Sequence, residues 1–286
     1  MDSKILIVIV VAAIAVVGVA AFFLLGGNGN NDSQYTLLDS DDNISAGMVI
    51  EKTGTSGPQN AHSTATVTSV SGGTVTYTEE ASQTISDFID TKMPLSRFLP
   101  EDNQLGFDYT DPEDIPAGIT VTQDGTKYTI TGSNTEFSVT TSYENFVIDY
   151  DGSTVSSVSG KQLSSYTYGG ESTSSVVEYK TVEKVLFGKM SVTSQSTNTV
   201  DVSQFYLKAV SKFDKSQYSG MEIKERNGKY GGVDVVIYNL NGISGGQEYK
   251  NVDLYTYHGY MIHAEGTLNQ GGEDMKTDVT VTIKKA

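Results

Sequence analysis

The chain opens on an unbroken apolar run from Ile5 to Leu25, in which Gly18 is the only weakly apolar member. At about 1.5 Å rise per residue, some 20 helical residues cross a bilayer core about 30 Å thick. Lys4 and the terminal amine precede the run, and Gly, Asn and finally Asp32 follow it. Cationic residues stay on the cytoplasmic side. The pattern predicts a single-pass transmembrane signal-anchor over residues 1–25, with the N-terminus cytoplasmic and the rest extracytoplasmic at the cell membrane. Gly18 and Ala20 would serve a cleaved signal peptide, but the apolar stretch continues through Ala21 to Leu25, which favours retention. Residues 26–46 are dominated by Gly, Asn, Asp and Ser and read as a flexible spacer.

Beyond residue 46 the period changes to two. Thr64 to Val70 and Thr74 to Thr78 alternate around Ser71-Gly72-Gly73, and Ile119 to Gln123 and Lys127 to Thr131 flank Asp124-Gly125-Thr126. Both are hairpin signals. Glu136 to Thr140, Phe146 to Tyr150 and, past Asp151-Gly152, Thr154 to Ser159 continue as strands rich in Val, Ile, Thr and Tyr. Two segments switch to helical spacing: Ile85, Phe88, Ile89 and Met93 after Thr84, and Val202, Tyr206, Ala209, Val210 and Phe213. The expected fold class is therefore mainly β, an antiparallel curved sheet or sheets with short covering helices.

The order of elements recurs. Thr66 to Val75 lies over Ser191 to Val200, Lys127-Tyr128 over Lys229-Tyr230, and Tyr143 to Gly160 over Tyr249 to Gly266 without a gap. In the last pair Tyr143, Asn145 and Gly160 match Tyr249, Asn251 and Gly266. This predicts a tandem duplication, with β-rich repeats over 47–162 and 163–286.

Composition narrows the function classes. The net charge is −16, with 19 Lys and Arg in 286 residues, which disfavours phosphate-based binding of nucleic acid. There is no Cys, hence no disulfide and no thiolate chemistry. Asn31-Asp32-Ser33 and Asn43-Ile44-Ser45 fit the glycosylation triplet. Asp39, Asp41 and Asn43 occupy the first, third and fifth places of a calcium loop, but Ile44 and Ile50 replace its Gly and Glu, so the candidate is weak. Asp108, Asp111, Glu113 and Asp114 surround Pro112 and read as an acidic loop. His62 is expected in a polar loop, and a turn at Gly259 would be needed to bring His258 and His263 together. No third clustered His supports a zinc site and no Gly-x-Ser-x-Gly elbow is present. No enzyme and no cofactor is expected.

Tyr249, Tyr255, Tyr257 and Tyr260, with His263, are the candidates to line a ligand groove, because tyrosine joins an apolar ring to a hydroxyl. The late strand pairs, Phe146 to Gly152 into Thr154 to Gly160 and Val252 to Tyr257 into Tyr260 to Gly266, resemble the curved antiparallel sheet with helical lid of periplasmic lipoprotein carriers and related mycobacterial lipoproteins (the LolA and LppX type). That resemblance covers the meanders only. It implies a cavity for acyl chains, although the Thr and Ser content here departs from a greasy interior. The layout of anchor, Asn/Gly spacer and Thr-rich acidic ectodomain is also similar to surface proteins of methanogenic archaea. The expectation is a membrane-anchored extracytoplasmic binding or surface protein, with a lipid or amphiphilic ligand in its groove or a surface-protein partner. The alternative is a structural or accessory subunit of a cell-surface complex.

Overall fold

The computed structural model describes residues 34–57, 59–86, 94–244, 247–270 and 272–285. The apolar run at 5–25, Asn31 and the Phe88, Ile89 and Met93 stripe lie outside the described residues. Among the described residues no helix is long and apolar enough to cross a membrane.

The chain is mainly β, with 67% strand in one antiparallel sheet of fourteen strands. In chain order these are β1 Val49–Ser56, β2 Gln59–Ser71, β3 Thr74–Ser86, β4 Ile119–Asp124, β5 Lys127–Glu136, β6 Val139–Asp151, β7 Thr154–Tyr168, β8 Glu171–Val182, β9 Val185–Asp201, β10 Glu222–Tyr230, β11 Val233–Ser244, β12 Gln247–Tyr257, β13 Tyr260–Gln270 and β14 Glu273–Lys284. A single α-helix among the described residues, α1 Val202–Ala209, follows β9. The order across the sheet is β10-β11-β12-β13-β14-β1-β2-β3-β9-β8-β7-β6-β5-β4.

Contacts divide the described chain into two compact units, Gln83–Ser194 and residues 34–82 with 195–285. The chain passes from one unit to the other inside β3 and again inside β9. In the first unit the core is aromatic. Phe98 meets Tyr179 edge-on at 5.4 Å, Phe146 meets Tyr179 at 5.6 Å, and Tyr143 meets Phe146 at 5.7 Å. The connection from Leu95 to Ile115 lays Phe98, Leu105, Phe107 and Tyr109 on β5, β6 and β7. Asn103 organises it, donating to the carbonyls of Pro100 and Phe107 at 2.8 and 2.9 Å and accepting from Leu105 N at 2.8 Å. The acidic stretch 108–114 is a loop closed on its own carboxylates, with Asp108 N donating to Asp114 and Glu113 N to Asp111.

In the second unit α1 buries Phe205, Tyr206 and Ala209 against the sheet, and Phe205 meets Tyr77 edge-on at 5.3 Å. The helix predicted from the 202–213 stripe is present, shorter than the stripe: Phe213 lies beyond it and stacks on Tyr238 at 4.2 Å. The spacer reading of 26–46 is corrected from Tyr35 onward. Residues Tyr35–Asp39 and Asp41–Asn43 form 3-10 turns that bury Tyr35, Leu38 and Ile44 in this core. Three apolar side chains spaced along a polar segment suffice to pin it, and Tyr35 Oη donates to the Val281 carbonyl at 2.9 Å.

The Gly72-Gly73, Gly125-Thr126 and Gly152-centred turns stand where the sequence places them. Glu136 to Thr140 is not a strand. Phe137 and Ser138 form a two-residue turn there at φ +50° and +67°. Thr84 and Ile85 belong to β3, so a cap at Thr84 is not formed. His62 lies in β2, opposite Thr53, and not in a loop.

The two units share a set of irregularities. β6 slips against β7 between Glu144 and Val147 and again between Asp149 and Tyr150. β12 slips against β13 between Lys250 and Asp253 and between Tyr255 and Thr256, each 106 residues later. Asn145 and Asn251 take left-handed φ of +46° and +53° at the first slip, a conformation asparagine tolerates. Opposite them stand Gly160 and Gly266. A Cβ on Gly160 would meet Asn145 O at 2.3 Å, and one on Gly266 would meet Val252 Cα at 2.6 Å. Two other proposed matches do not correspond: Thr66 to Val75 spans the β2–β3 turn while Ser191 to Val200 lies within β9, and Lys127-Tyr128 opens β5 while Lys229-Tyr230 closes β10.

Gly160→Ala and Gly266→Ala are each expected to lower stability by about 2–4 kcal/mol through backbone strain and overpacking. Gly152→Ala, at φ +65° with nothing within 4 Å of its Cβ, is expected to cost about 1–2 kcal/mol. Urea unfolding of the three variants checks the contrast.

Candidate functional site

The candidate groove residues lie on β12 and β13, joined by a turn at His258 and Gly259, with φ +50° and +81°. Tyr255 is directly opposite His263, and His263 is directly opposite Thr280 on β14. The curl of the sheet brings a further ring over them. Tyr230, at the end of β10, stacks on His263 with centroids 4.4 Å apart and planes 9° apart. Its hydroxyl lies 2.7 Å from Thr280 Oγ1, which also meets His263 Nδ1 at 3.0 Å. Tyr255 closes the group at 4.9 Å from the His263 ring.

Of the other candidates, Tyr257 donates to Asp39 Oδ1 at 2.5 Å, and Tyr260 meets Tyr206 edge-on at 6.1 Å with Lys212 Nζ 5.5 Å from its ring. Tyr249 is not part of this group. It packs with Tyr218 in a separate core around Leu240, Val252 and Leu254. The five candidates therefore do not line one groove. His258 and His263 are not brought together either. His258 is exposed and pairs with Asp39 at 3.2 Å, while His263 is buried.

Electrostatics follow from burial. Burial lowers the proton affinity of His263, against the opposing pull of Asp278, the Val279 backbone and Glu265. Tyr255 is pushed up to about 12, chiefly by burial and then by its bond to Glu265. Tyr257 is likewise pushed up to about 12 by burial and by Asp39. The phenols stay neutral over the working pH range and act as hydrogen-bond donors. Lys52, on β1, is 5% exposed, and burial lowers its proton affinity while Glu79 opposes the shift. Lys52, Val210, Ser211, Met261, His263, Val279 and Val281 line a cavity of about 10 Å³ beside the end of α1. Such a space holds about one water and no acyl chain.

The calcium candidates do not converge. Asp39 is engaged by Tyr257 and His258, and Asn43 acts as a donor inside its turn, to the carbonyls of Thr36 and Leu37 at 3.3 and 3.2 Å. Those bonds use the nitrogen to which a glycan would be attached. Among the described residues no three His, Cys, Asp or Glu side chains form a metal-binding group.

Tyr230, Thr280 and Lys52 escape sequence reasoning because they join through non-local curl. Lys52 carries one local signal: it shares the inward parity of Ile50 in an alternating strand. No protein-family model matches the chain, and no curated protein matches it in sequence.

The depressed proton affinity of His263 has a definite sign. The unfolded chain binds that proton more readily than the folded one, so stability is full above about 6.5 and falls as pH drops below it. His263→Gln is expected to flatten the loss of stability between pH 7 and 5, read by thermal unfolding across that range. Tyr35→Phe, which leaves the Val281 carbonyl without its donor, is expected to cost about 1–3 kcal/mol in the same assay.

Proposed function

We propose that the chain is a membrane-anchored, extracytoplasmic, non-enzymatic surface protein that works through its outer surface, as a structural or accessory subunit of a cell-surface assembly. The packing beside α1 carries this reading. Among the described residues the space there is about 10 Å³, and the positions around it are occupied by rings and branched side chains. The uncharged run at 5–25, with Lys4 before it, supports the anchor and its orientation. The tyrosines that seemed suited to a groove are supports of the fold in this reading.

We also read the strand sets β4 to β7 and β10 to β13 as copies of one ancestral unit. The recurrence of two slips, a left-handed Asn and its facing Gly at a constant 106-residue interval supports a duplication. A chance match would have to reproduce position and geometry together.

The full chain is expected in the membrane fraction and to resist alkaline carbonate extraction, with its C-terminus open to protease from outside the cell. Cross-linking in native membranes is expected to give discrete higher-mass species. A strictly monomeric protein, or a stoichiometric lipid found by mass spectrometry of the purified chain, would return the carrier reading to the front.

A further inference from the structure

We propose that the adjacent tips of the β5–β6 and β7–β8 hairpins form a membrane-contact element, seating Phe137 and Tyr168 in the interfacial zone of an uncharged lipid bilayer. The inference rests on the reading that the protein works at a membrane surface. It concerns a different part of the chain from the anchor.

Phe137 is 87% exposed and Tyr168 is 81% exposed. The tips lie at the same end of neighbouring hairpins, since Val139 pairs with Tyr166. Phe137 is also strained. A two-residue turn with both φ positive selects Asn and Gly, and a bulky ring there is unfavourable. The counterpart connection between Ser244 and Gln247 is Gly245-Gly246 in sequence. The turn geometry therefore does not call for Phe137, and packing does not hold it. Strain kept at an exposed aromatic points to a contact made outside the chain. These arms also reach farther: the β5 strand runs four residues past Gly132 to its turn, and β11 runs two past Gly242.

Area and charge identify the occupant. Two aromatic side chains offer roughly 300–500 Å². A specific protein interface needs roughly 1,200 Å² or more in total. A bilayer interface needs no shape match and takes Tyr and Phe at headgroup depth. Residues 133–142 and 163–176 contain Glu136 and Glu171 and no Lys or Arg, within a chain of net charge −16. Attraction to anionic headgroups requires cations. The remaining tip residues are largely Ser and Thr, some already paired, as Thr135 and Thr140 are through their hydroxyls at 2.8 Å. Such groups suit neutral headgroups.

The chain has no Trp, so one substitution installs a unique reporter. Phe137→Trp, Tyr168→Trp and a control Thr122→Trp on exposed β4 would be made in the full chain and reconstituted in phosphatidylcholine vesicles. Either tip reporter is expected to show blue-shifted emission, quenched at least twofold by brominated phosphatidylcholine, and the control is expected to show neither. Water-like, unquenched emission from both tips overturns the proposal. So does a blue shift without lipid quenching, which would mean contact with protein. Quenching that rises when phosphatidylglycerol replaces a third of the lipid would overturn the assignment to uncharged headgroups. Carbonate extraction of the same samples separates the two readings: quenched tips on extractable protein sink the anchor alone, and unquenched tips on inextractable protein sink this inference alone.

Discussion

A sheet must bury one face, and among the described residues all the strands belong to one sheet. In the first unit the connection from Leu95 to Ile115 packs on the strands, and in the second both α1 and the turns from Tyr35 to Asn43 do, together with curvature of the sheet itself. Bulges supply that curvature, because an extra residue in one strand sharpens the local twist. At Asn145 and Asn251 the extra residue takes a left-handed conformation, and Gly160 and Gly266 give the facing backbone room to approach. In the second unit the result can be followed across five strands. Tyr230 leaves the edge strand β10 and lands on His263 of β13 and Thr280 of β14. Without the slips, the same strands would splay and leave an apolar face in water.

The curl sets the chemistry of the interior. A closely wrapped face has little space for loose filling, and the chain has neither Cys nor Trp to close it. Tyr takes both parts, filling space with its ring and tying a distant backbone with its hydroxyl. Tyr35 bonds the Val281 carbonyl, Tyr206 the Leu37 carbonyl and Tyr109 the Phe98 carbonyl. The first two bonds join elements far apart in the chain, and the third closes the connection from Leu95 to Ile115 on itself. Burial raises the proton affinity of these phenols, so all of them remain donors at ordinary pH.

What could be read from the sequence follows the range of the interactions. Turns at Gly72-Gly73 and Asp124-Gly125 are local and were legible, as was the existence of α1, though not its end at Ala209 short of the Val202–Phe213 stripe. The turn at Phe137-Ser138 was not, because nothing local marks it. Tyr35, Leu38 and Ile44 were hidden in a segment whose average composition is that of a linker; three side chains outweighed the average. The match of Tyr143 to Gly160 with Tyr249 to Gly266 was legible because Asn and Gly answer to backbone geometry. The Ser/Thr stretch from Thr66 was misleading because alternating polar residues fit any strand. The candidate site was legible as single tyrosines, and its division between two cores was not, since that depends on strand register.

The same constraint bears on function. A fold that closes by curling uses its apolar face internally, and what remains for other molecules is the outer face, the edges and the turns. Edges β4 and β10 differ in kind: β10 carries Glu222, Lys224, Glu225, Arg226 and Lys229, a charge pattern that discourages strand addition. β4 is only six residues long. Neither edge invites a long strand partner. Turns are the remaining places where a side chain can be chosen freely of packing. Among the described turns the β5–β6 turn is one where an exposed apolar ring, that of Phe137, stands against the preference of its own backbone, which is why a contact outside the fold is proposed for it.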